Sequence, residues 1–368
     1  MKIAIRVDAS VKIGTGHVMR CLTLAEELKH NKAEVVFICR ELPGHMADLI
    51  ERKGFSVNLL SLPDKKKSEI DVEPLSHAEW LAVPWEYDAR ETHQVLEAQK
   101  HCDWLVVDHY AIDEKWEKKQ RDVVSKIMVV DDLADRIHDC DLLLDQNFYL
   151  NPEERYSQLV PLQCKGLLGP KYALLRKEFT EKLKIKDCNE FIDVKRLFLF
   201  MGGSDLTNET EKTIRALDKL LSMEIIVDVV VSSVNPRADE IKKMCSVRDY
   251  CHFHKDVTNI SELMLEADIA IGAGGATTLE RCYIGLPSQV IMVADNQKET
   301  TLALNEVGAL SCIGWYSDIT SDDIFEKLRD FINKSNELRM MCKSARKIFG
   351  EGNYCGINGV VSELLRSA

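Results

Sequence analysis

The chain begins with Met1-Lys-Ile-Ala-Ile-Arg-Val-Asp8 and continues through Val11-Lys-Ile-Gly-Thr-Gly-His17, and these stretches decide the fold. The apolar residues of the first stretch predict a buried parallel strand, and the two glycines predict a turn into a helix that begins near His17. Open α/β folds bind ligands where strands end and helices begin. A helix N-terminus also favours the neutral imidazole, so His17 is a candidate base.

Length and composition predict a soluble protein of two domains. The 368 residues exceed one typical domain, and the 45% hydrophobic content is enough for packed cores. No apolar stretch is long enough to cross a membrane, and the N-terminus has the pattern of a strand rather than of a signal peptide. We therefore expect a cytoplasmic protein without membrane insertion, as a monomer or weak dimer.

Charge and cysteine usage exclude other classes of function. The formal net charge of −12 argues against a nucleic-acid partner, so a phosphate ligand would rely on backbone N–H groups and helix N-termini. The 12 cysteines form no C-x-x-C pair, which favours reduced buried thiols over a disulfide framework. Cys251-His-Phe-His254 lacks a partner cluster, so we expect no metal.

Strands that end in polar residues organise the first half of the chain. Trp104–Tyr110, Ile127–Asp132 and Asp141–Asn147 each read as a short buried strand with polar residues at its carboxyl end. Helical patterns separate such strands, which predicts a parallel, doubly wound α/β sheet.

The second half repeats this arrangement after a charged, poorly periodic segment around residues 180–192, which predicts a linker. Strands are predicted at 196–200, 225–231, 268–271 and 288–293, and a closing helix is predicted at 356–366. We therefore expect an N-terminal Rossmann-like domain at 1–180 and a C-terminal one at 193–368, facing each other across a cleft.

Three glycine-rich turns link strands to helices. Gly14-Thr-Gly-His17 is neither a Walker A loop nor a dinucleotide fingerprint, because the Gly-Lys-Ser/Thr and the third glycine are missing. Gly202-Gly-Ser204 and Gly272-Ala-Gly-Gly-Ala-Thr277 have the same layout. Each turn is weak evidence alone, but two in the second half favour a nucleotide diphosphate there.

Several polar residues near these turns have two readings each. Glu280 suits a ribose diol, or complements the helix dipole. Asn296-Gln297 suits sugar hydroxyls or an acetamido group, or caps a helix. Tyr110 either donates to the ligand or packs, and Asp131-Asp132 either tune a base or cap strand ends.

Taken together, these motifs resemble the hydrolase family that acts on UDP-2,4-diacetamido-2,4,6-trideoxy-β-L-altropyranose in pseudaminic acid biosynthesis. They are also similar, more distantly, to the lipid-linked GlcNAc transferases of peptidoglycan synthesis. The resemblance covers Met1 to about Val307 and rests on Arg6-x-Asp8, Ile13–Arg20, Val107–Tyr110, Asp131-Asp132, Cys140-Asp-x-Leu-Leu, Gly169-x-x-Tyr-Ala-Leu-Leu-Arg176, Met201–Asp205 and Asn296-Gln297.

The resemblance implies a GT-B fold and a role for each matched position. It makes His17 the catalytic base. It assigns sugar contacts to Asp8, Gly16, Tyr110, Asn296 and Gln297. It assigns UDP contacts to Gly202, Gly203, Ser204, Gly274, Gly275, Ala276, Thr277 and Glu280.

The implied activity is hydrolysis of the UDP-linked diacetamido-trideoxy sugar, with water attacking the anomeric carbon and inversion, and with no metal or cofactor. A glycosyltransferase using a UDP-sugar donor and a spore-coat polysaccharide hydrolase with another sugar are the alternatives. A non-catalytic nucleotide-sugar sensor would not need His17, Tyr110 and Asn296 together. Extra sequence at 64–85 and at the C-terminus leaves the exact sugar open.

Overall fold

The computed structural model describes residues 1–63, 75–180, 187–188, 193–350 and 354–366, and they fall into two compact units. The first unit comprises Met1–Asn147, Asn151–Leu174 and Cys355–Ala368, and the second comprises Phe148–Leu150 and Leu175–Tyr354. The sequence placed everything from 193 to 368 in one domain, whereas the structure returns the C-terminal segment to the first unit. Most of the predicted linker, and residues 64–74 of the extra stretch, lie outside the described residues.

The first unit is built on a seven-stranded parallel sheet in the order β3-β2-β1-β4-β5-β6-β7. Ile5 at its centre pairs with Phe37 and with Val106, and all three are fully buried because helices cover both faces. The strands are β1 Lys2–Val7, β2 Glu34–Arg40, β3 Ser56–Leu60, β4 Trp104–Asp108, β5 Lys126–Val130, β6 Leu142–Asp145 and β7 Lys165–Leu168. The helices are α1 Gly16–His30, α2 Ala47–Arg52, α3 Trp85–Ala98, α4 Glu114–Lys118 and α5 Pro152–Arg155, with 3₁₀ turns at Ala78–Leu81 and Pro170–Tyr172.

The second unit is built on a six-stranded parallel sheet in the order β10-β9-β8-β11-β12-β13. The strands are β8 Arg196–Phe200, β9 Ile226–Val231, β10 Cys251–Lys255, β11 Ile269–Ala273, β12 Ser288–Met292 and β13 Ser311–Trp315. The helices are α6 Lys177–Thr180, α7 Glu209–Leu217, α8 Ala238–Ser246, α9 Ile260–Glu266, α10 Thr277–Ile284, α11 Lys298–Glu306, α12 Ser321–Ile332 and α13 Ser335–Lys347, with 3₁₀ turns at Asp218–Met223 and Asp295–Gln297. No helix in the described part of the chain is both long and apolar enough to span a bilayer.

The last helix, α14 (Gly356–Arg366), completes the core of the first unit. Its apolar residues Val360 and Leu364 are fully buried and belong to the same cluster as Ile3 and Ile5. The indole N–H of Trp104 donates to the carbonyl of Leu364 at 3.1 Å. The predicted closing helix therefore exists, but it packs on the N-terminal sheet.

Both sheets have a point where the strand order reverses. In the first unit it lies between β1 and β4, and in the second it lies between β8 and β11. The loops that follow such neighbouring strands run to opposite faces, which leaves room for a ligand at their carboxyl ends. Each predicted glycine turn follows one of the strands β1, β8 and β11.

One cysteine pair departs from the expectation of reduced thiols. Cys188 and Cys342 form a disulfide in the second unit, across a sequence separation of 154 residues. Both are buried in that unit's hydrophobic core. Absence of a C-x-x-C motif excludes only local pairs, so sequence spacing gave no sign of this bond.

Candidate active site

His17 and Asp108 meet at the strand reversal of the first unit. Helix α1 begins at Gly16, just before His17, and Asp108 is the last residue of β4. The Nδ1 atom of His17 lies 2.6 Å from Oδ1 of Asp108. Because a carboxylate only accepts, Nδ1 carries the proton and donates it. None of the described residues hydrogen-bonds to Nε2, which leaves that nitrogen's lone pair for a ligand.

Arg20 holds Asp108 in its charged form. It lies one helical turn after His17, and its Nε and Nη2 atoms donate to the two oxygens of Asp108, both at 2.6 Å. Burial alone would raise the pKa of Asp108, but the charges of Arg20 and His17 hold it well below its usual value. Asp108 therefore stays a carboxylate that fixes the orientation and tautomer of the His17 ring.

The two adjacent aspartates after β5 have different surroundings. Asp132 accepts from the hydroxyl of Tyr110, from Nη1 of Arg20 at 3.2 Å and from Nδ2 of Asn147 at 3.1 Å. Asp131 is fully buried with Arg136 2.9 Å away. Burial would raise the pKa of Asp131, but the neighbouring Arg136 lowers it to about 2. Asp132 therefore extends the His17 network, and Asp131 does not.

Tyr110 packs against the His17 ring and is itself covered. The two rings meet edge to face with centroids 4.6 Å apart. Trp80 stacks on Tyr110 at 5.3 Å, and Tyr110 is only 3% exposed. Because the phenol donates to Asp132, the structure supports the packing reading of Tyr110 over direct donation to a ligand. The sequence missed Trp80, since no periodicity marks an aromatic residue in the extra stretch.

Asp8 and Gly16 behave differently from each other. Asp8 is fully buried and accepts from Arg6 at 2.6 and 2.9 Å and from the backbone N–H of Arg40 at 2.6 Å. Asp8 therefore ties β1 to β2 through an internal ion pair, and its predicted sugar contact stays a prediction. Gly16 opens helix α1, and a Cβ there would have no atom within 4 Å, so the space beside the helix start is open.

In the second unit, the Gly202-Gly203-Ser204 loop presents backbone donors between β8 and α7. The backbone of Gly202 has φ +91°, a conformation that residues with a side chain rarely adopt. Within the described chain, no acceptor reaches the N–H groups of these three residues. Asp205 fixes the loop by accepting from the N–H of Glu209 at 2.9 Å. Such a row of free donors suits an anionic oxygen.

The second glycine loop leads from β11 into α10. The Gly274 N–H donates to Oε1 of Gln297, and a Cβ on Gly274 would lie 2.6 Å from Oγ1 of Thr301. The N–H groups of the next three residues, Gly275, Ala276 and Thr277, have no acceptor in the described part of the chain. With the dipole of the eight-residue helix α10 behind them, these donors also suit an anion.

Glu280 and the Asn296-Gln297 pair are already engaged in part. Glu280 is buried, and Arg176 donates to both of its oxygens, at 2.7 and 2.8 Å. The amide oxygen of Gln297 accepts from the backbone N–H groups of Gly274 and Val293, so it joins the ends of β11 and β12. A contact from this oxygen to an acetamido group of a sugar stays a prediction. Asn296 is half-buried on the turn Asp295–Gln297.

The second unit also matches a known family model. Residues 197–352 match the glycosyltransferase family 28 C-terminal domain. The MurG structure of Acinetobacter baumannii superimposes with a TM-score of 0.65 at 13% identity, covering 99% of both chains. The fold is GT-B. This confirms the predicted fold class of two Rossmann-like domains.

Curated relatives are similar over most of the chain. The UDP-2,4-diacetamido-2,4,6-trideoxy-β-L-altropyranose hydrolase of Campylobacter jejuni is 27% identical over 311 residues, which is 84% of this chain and 97% of the hydrolase. The spore coat polysaccharide biosynthesis protein SpsG of Bacillus subtilis is 22% identical over 200 residues, which is 54% of this chain and 56% of that protein. The resemblance predicted from the sequence motifs is confirmed.

Proposed function

We propose that the protein hydrolyses a UDP-linked 2,4-diacetamido-2,4,6-trideoxy sugar to UDP and the free sugar, as a step of nonulosonic acid or related polysaccharide biosynthesis. The observation that carries this proposal is the His17–Asp108 dyad, with one ring nitrogen fixed as a donor and the other without a partner among the described residues. The named activity of the Campylobacter jejuni relative supplies the sugar.

In this scheme His17 is the general base. Nε2 takes a proton from water as the water oxygen attacks the anomeric carbon, and the bond from that carbon to the UDP oxygen breaks. The bonding electrons leave with UDP, and attack from the opposite side inverts the anomeric centre. Asp108 holds the ring in the required tautomer and stabilises the imidazolium that forms.

The second unit supplies donors for the leaving group. The N–H groups of Gly202–Ser204 and of Gly275–Thr277, which no acceptor among the described residues reaches, would bind the diphosphate oxygens and stabilise their negative charge. Glu280, held by Arg176, would present its remaining lone pairs to the ribose hydroxyls.

A glycosyltransferase reaction is the second candidate. It is favoured by the match of residues 197–352 to a glycosyltransferase domain. The same dyad would then deprotonate an acceptor hydroxyl instead of water. The two candidates differ in one measurable respect, which is whether UDP is released when water is the only acceptor.

The test is to incubate the purified protein with UDP-2,4-diacetamido-2,4,6-trideoxy-β-L-altropyranose and to follow the anomeric proton by NMR. We expect UDP release without an added acceptor and an inverted first-formed sugar. His17→Ala should lower turnover by roughly 10²–10⁴-fold while UDP still binds. His30→Ala, an exposed histidine at the end of the same helix, is the matched control. Near-normal turnover of His17→Ala would overturn the proposal.

A further inference from the structure

The extra stretch of the first unit brings two rings to the catalytic histidine. Its described part contains the 3₁₀ turn Ala78–Leu81, which directly precedes helix α3. Leu81 is 1% exposed and belongs to the core cluster under the sheet, so the turn is fixed to the body of the unit. His77 immediately precedes this turn and Trp80 is its third residue, and the backbone N–H of Trp80 donates to the His77 carbonyl at 2.9 Å.

The rings form a continuous aromatic surface around His17. The Trp80 ring meets the His17 ring edge to face, with ring centroids 6.0 Å apart. It stacks on Tyr110 with centroids 5.3 Å apart and ring planes 26° apart. His77 contacts Trp80 at 4.6 Å and Tyr110 at 5.2 Å. Tyr110 and His17 are buried, whereas Trp80 and His77 are half-buried. The ring faces that remain accessible beside the base therefore belong to the extra stretch.

This surface also carries polar atoms that the described chain does not satisfy. Nδ1 of His77 is buried without a hydrogen-bond partner among the described residues. The indole N–H of Trp80 likewise has no acceptor within the described residues. Burial lowers the pKa of His77, so its ring is neutral at pH 7 and keeps one acceptor nitrogen. A donor and an acceptor set in an aromatic surface match a neutral ligand group that has both an amide and a methyl.

We propose that His77 and Trp80 form part of the sugar site and select sugars that carry acetamido and deoxy substituents. The aromatic faces would pack on the methyl groups of the sugar. The indole N–H of Trp80 would donate to the carbonyl of an acetamido group, and Nδ1 of His77 would accept from an amide N–H. A sugar with hydroxyls in place of these substituents would bury the hydroxyls against the aromatic rings without hydrogen bonds, and this would lower its affinity. This inference rests on the proposed function, because it assigns the sugar to the space beside His17.

The test measures affinity by calorimetry in the His17→Ala protein, so that turnover does not interfere. The ligands are UDP, UDP-N-acetylglucosamine and UDP-2,4-diacetamido-2,4,6-trideoxy-β-L-altropyranose. We expect the diacetamido compound to bind at least about 10-fold more tightly than UDP-N-acetylglucosamine, which is the lower end of the discrimination that a single methylene gives in an apolar pocket. Adding Trp80→Ala should bring the two affinities to within about 3-fold and leave the UDP affinity unchanged.

Two further variants separate the contributions. Trp80→Phe keeps an aromatic face and should retain most of the preference, while His77→Phe removes only the polar atoms and should weaken binding of both acetamido compounds. Glu79→Ala is the matched control, since Glu79 is an exposed residue of the same turn whose one ion pair among the described residues is with exposed Lys12. An unchanged thermal unfolding transition shows that the first unit, which carries these residues, is folded in each variant.

Three results would overturn the inference. They are an unchanged preference in the Trp80→Ala protein, a parallel loss of UDP affinity, and no preference in the His17→Ala reference. The proposed hydrolysis is refuted by a different result: the unsubstituted protein releases no UDP without an added acceptor, although the binding preference is still present. The two failures are therefore distinguishable.

Discussion

Replacing Asp108 by asparagine should abolish the proposed role of His17 as a base while leaving the surrounding fold intact. Oδ1 of Asp108 accepts from His17 and Arg20, and Oδ2 accepts from Arg20 and the Cys21 thiol. Asparagine has only one acceptor oxygen, so its NH₂ group must face donors on one side. If it faces His17, the ring turns to the tautomer with the proton on Nε2, which can no longer accept a proton from water.

The size of the effect follows from these contacts. Loss of the correct tautomer removes general-base catalysis, which lowers kcat by roughly 10²–10⁴-fold, or about 3–5 kcal/mol of barrier. Breaking a buried ion pair costs about 3–5 kcal/mol of stability. Because Arg20 keeps Asp132 as a second partner at 3.2 Å, we expect the lower end of that range.

The assay is UDP release in single-turnover mode, with urea unfolding and UDP titration on the same samples. Asp88→Asn is the matched control. Asp88 is fully buried between Arg6 and Arg40 and contacts neither His17 nor Arg20. We expect it to lose comparable stability but to keep its turnover per folded molecule. The reasoning is refuted if Asp108→Asn turns over within about threefold of the unsubstituted protein.

Three other predictions concern packing, protonation and the disulfide. Gly274→Ala should destabilise the second unit by about 1–3 kcal/mol and weaken UDP binding, because its Cβ would overlap a neighbouring side chain, whereas Gly275→Ala meets open space and should change the melting temperature little. Burial and the neighbouring Asp132 raise the pKa of Asp145, so the stability that its protonated form contributes is present below the ordinary carboxyl pKa and is lost as pH rises through the raised value. Asp145→Asn should therefore flatten the dependence of stability on pH above about 4, the ordinary aspartate pKa, in urea titrations. Cys188→Ser should cost about 2–4 kcal/mol, and dithiothreitol should lower the melting temperature of the unsubstituted protein but not of this variant.

Sequence patterns predicted the central strands of both sheets better than their edges. Strands such as β1 and β8 are apolar runs with both faces buried, so composition alone reveals them. The edge strands β7 and β13 carry glycine and exposed or half-buried residues, and their pattern is weaker. The position of α14 was not predictable either, because amphipathic spacing shows that a helix packs but not which sheet it covers.

The candidate site shows the same contrast. A histidine after a glycine turn is a local signal, and sequence reasoning placed His17 at a helix start as the structure has it. Its partners come from elsewhere in the chain: Asp108 lies 91 residues away, and the extra stretch supplies Trp80. For Asp8, sequence alone could not separate a sugar contact from an internal ion pair, because an aspartate at a strand end binds an internal arginine as readily as a ligand.

The return of α14 to the N-terminal sheet affects how the protein is made. During synthesis, the first sheet leaves the ribosome more than 180 residues before Val360 and Leu364, and until then the apolar surface around Ile3 lacks its cover. The second unit is synthesised within that interval and has all its strands before α14 appears. The first unit to begin folding is therefore the last to finish, and a nascent chain stalled before residue 356 would present an aggregation-prone surface to chaperones.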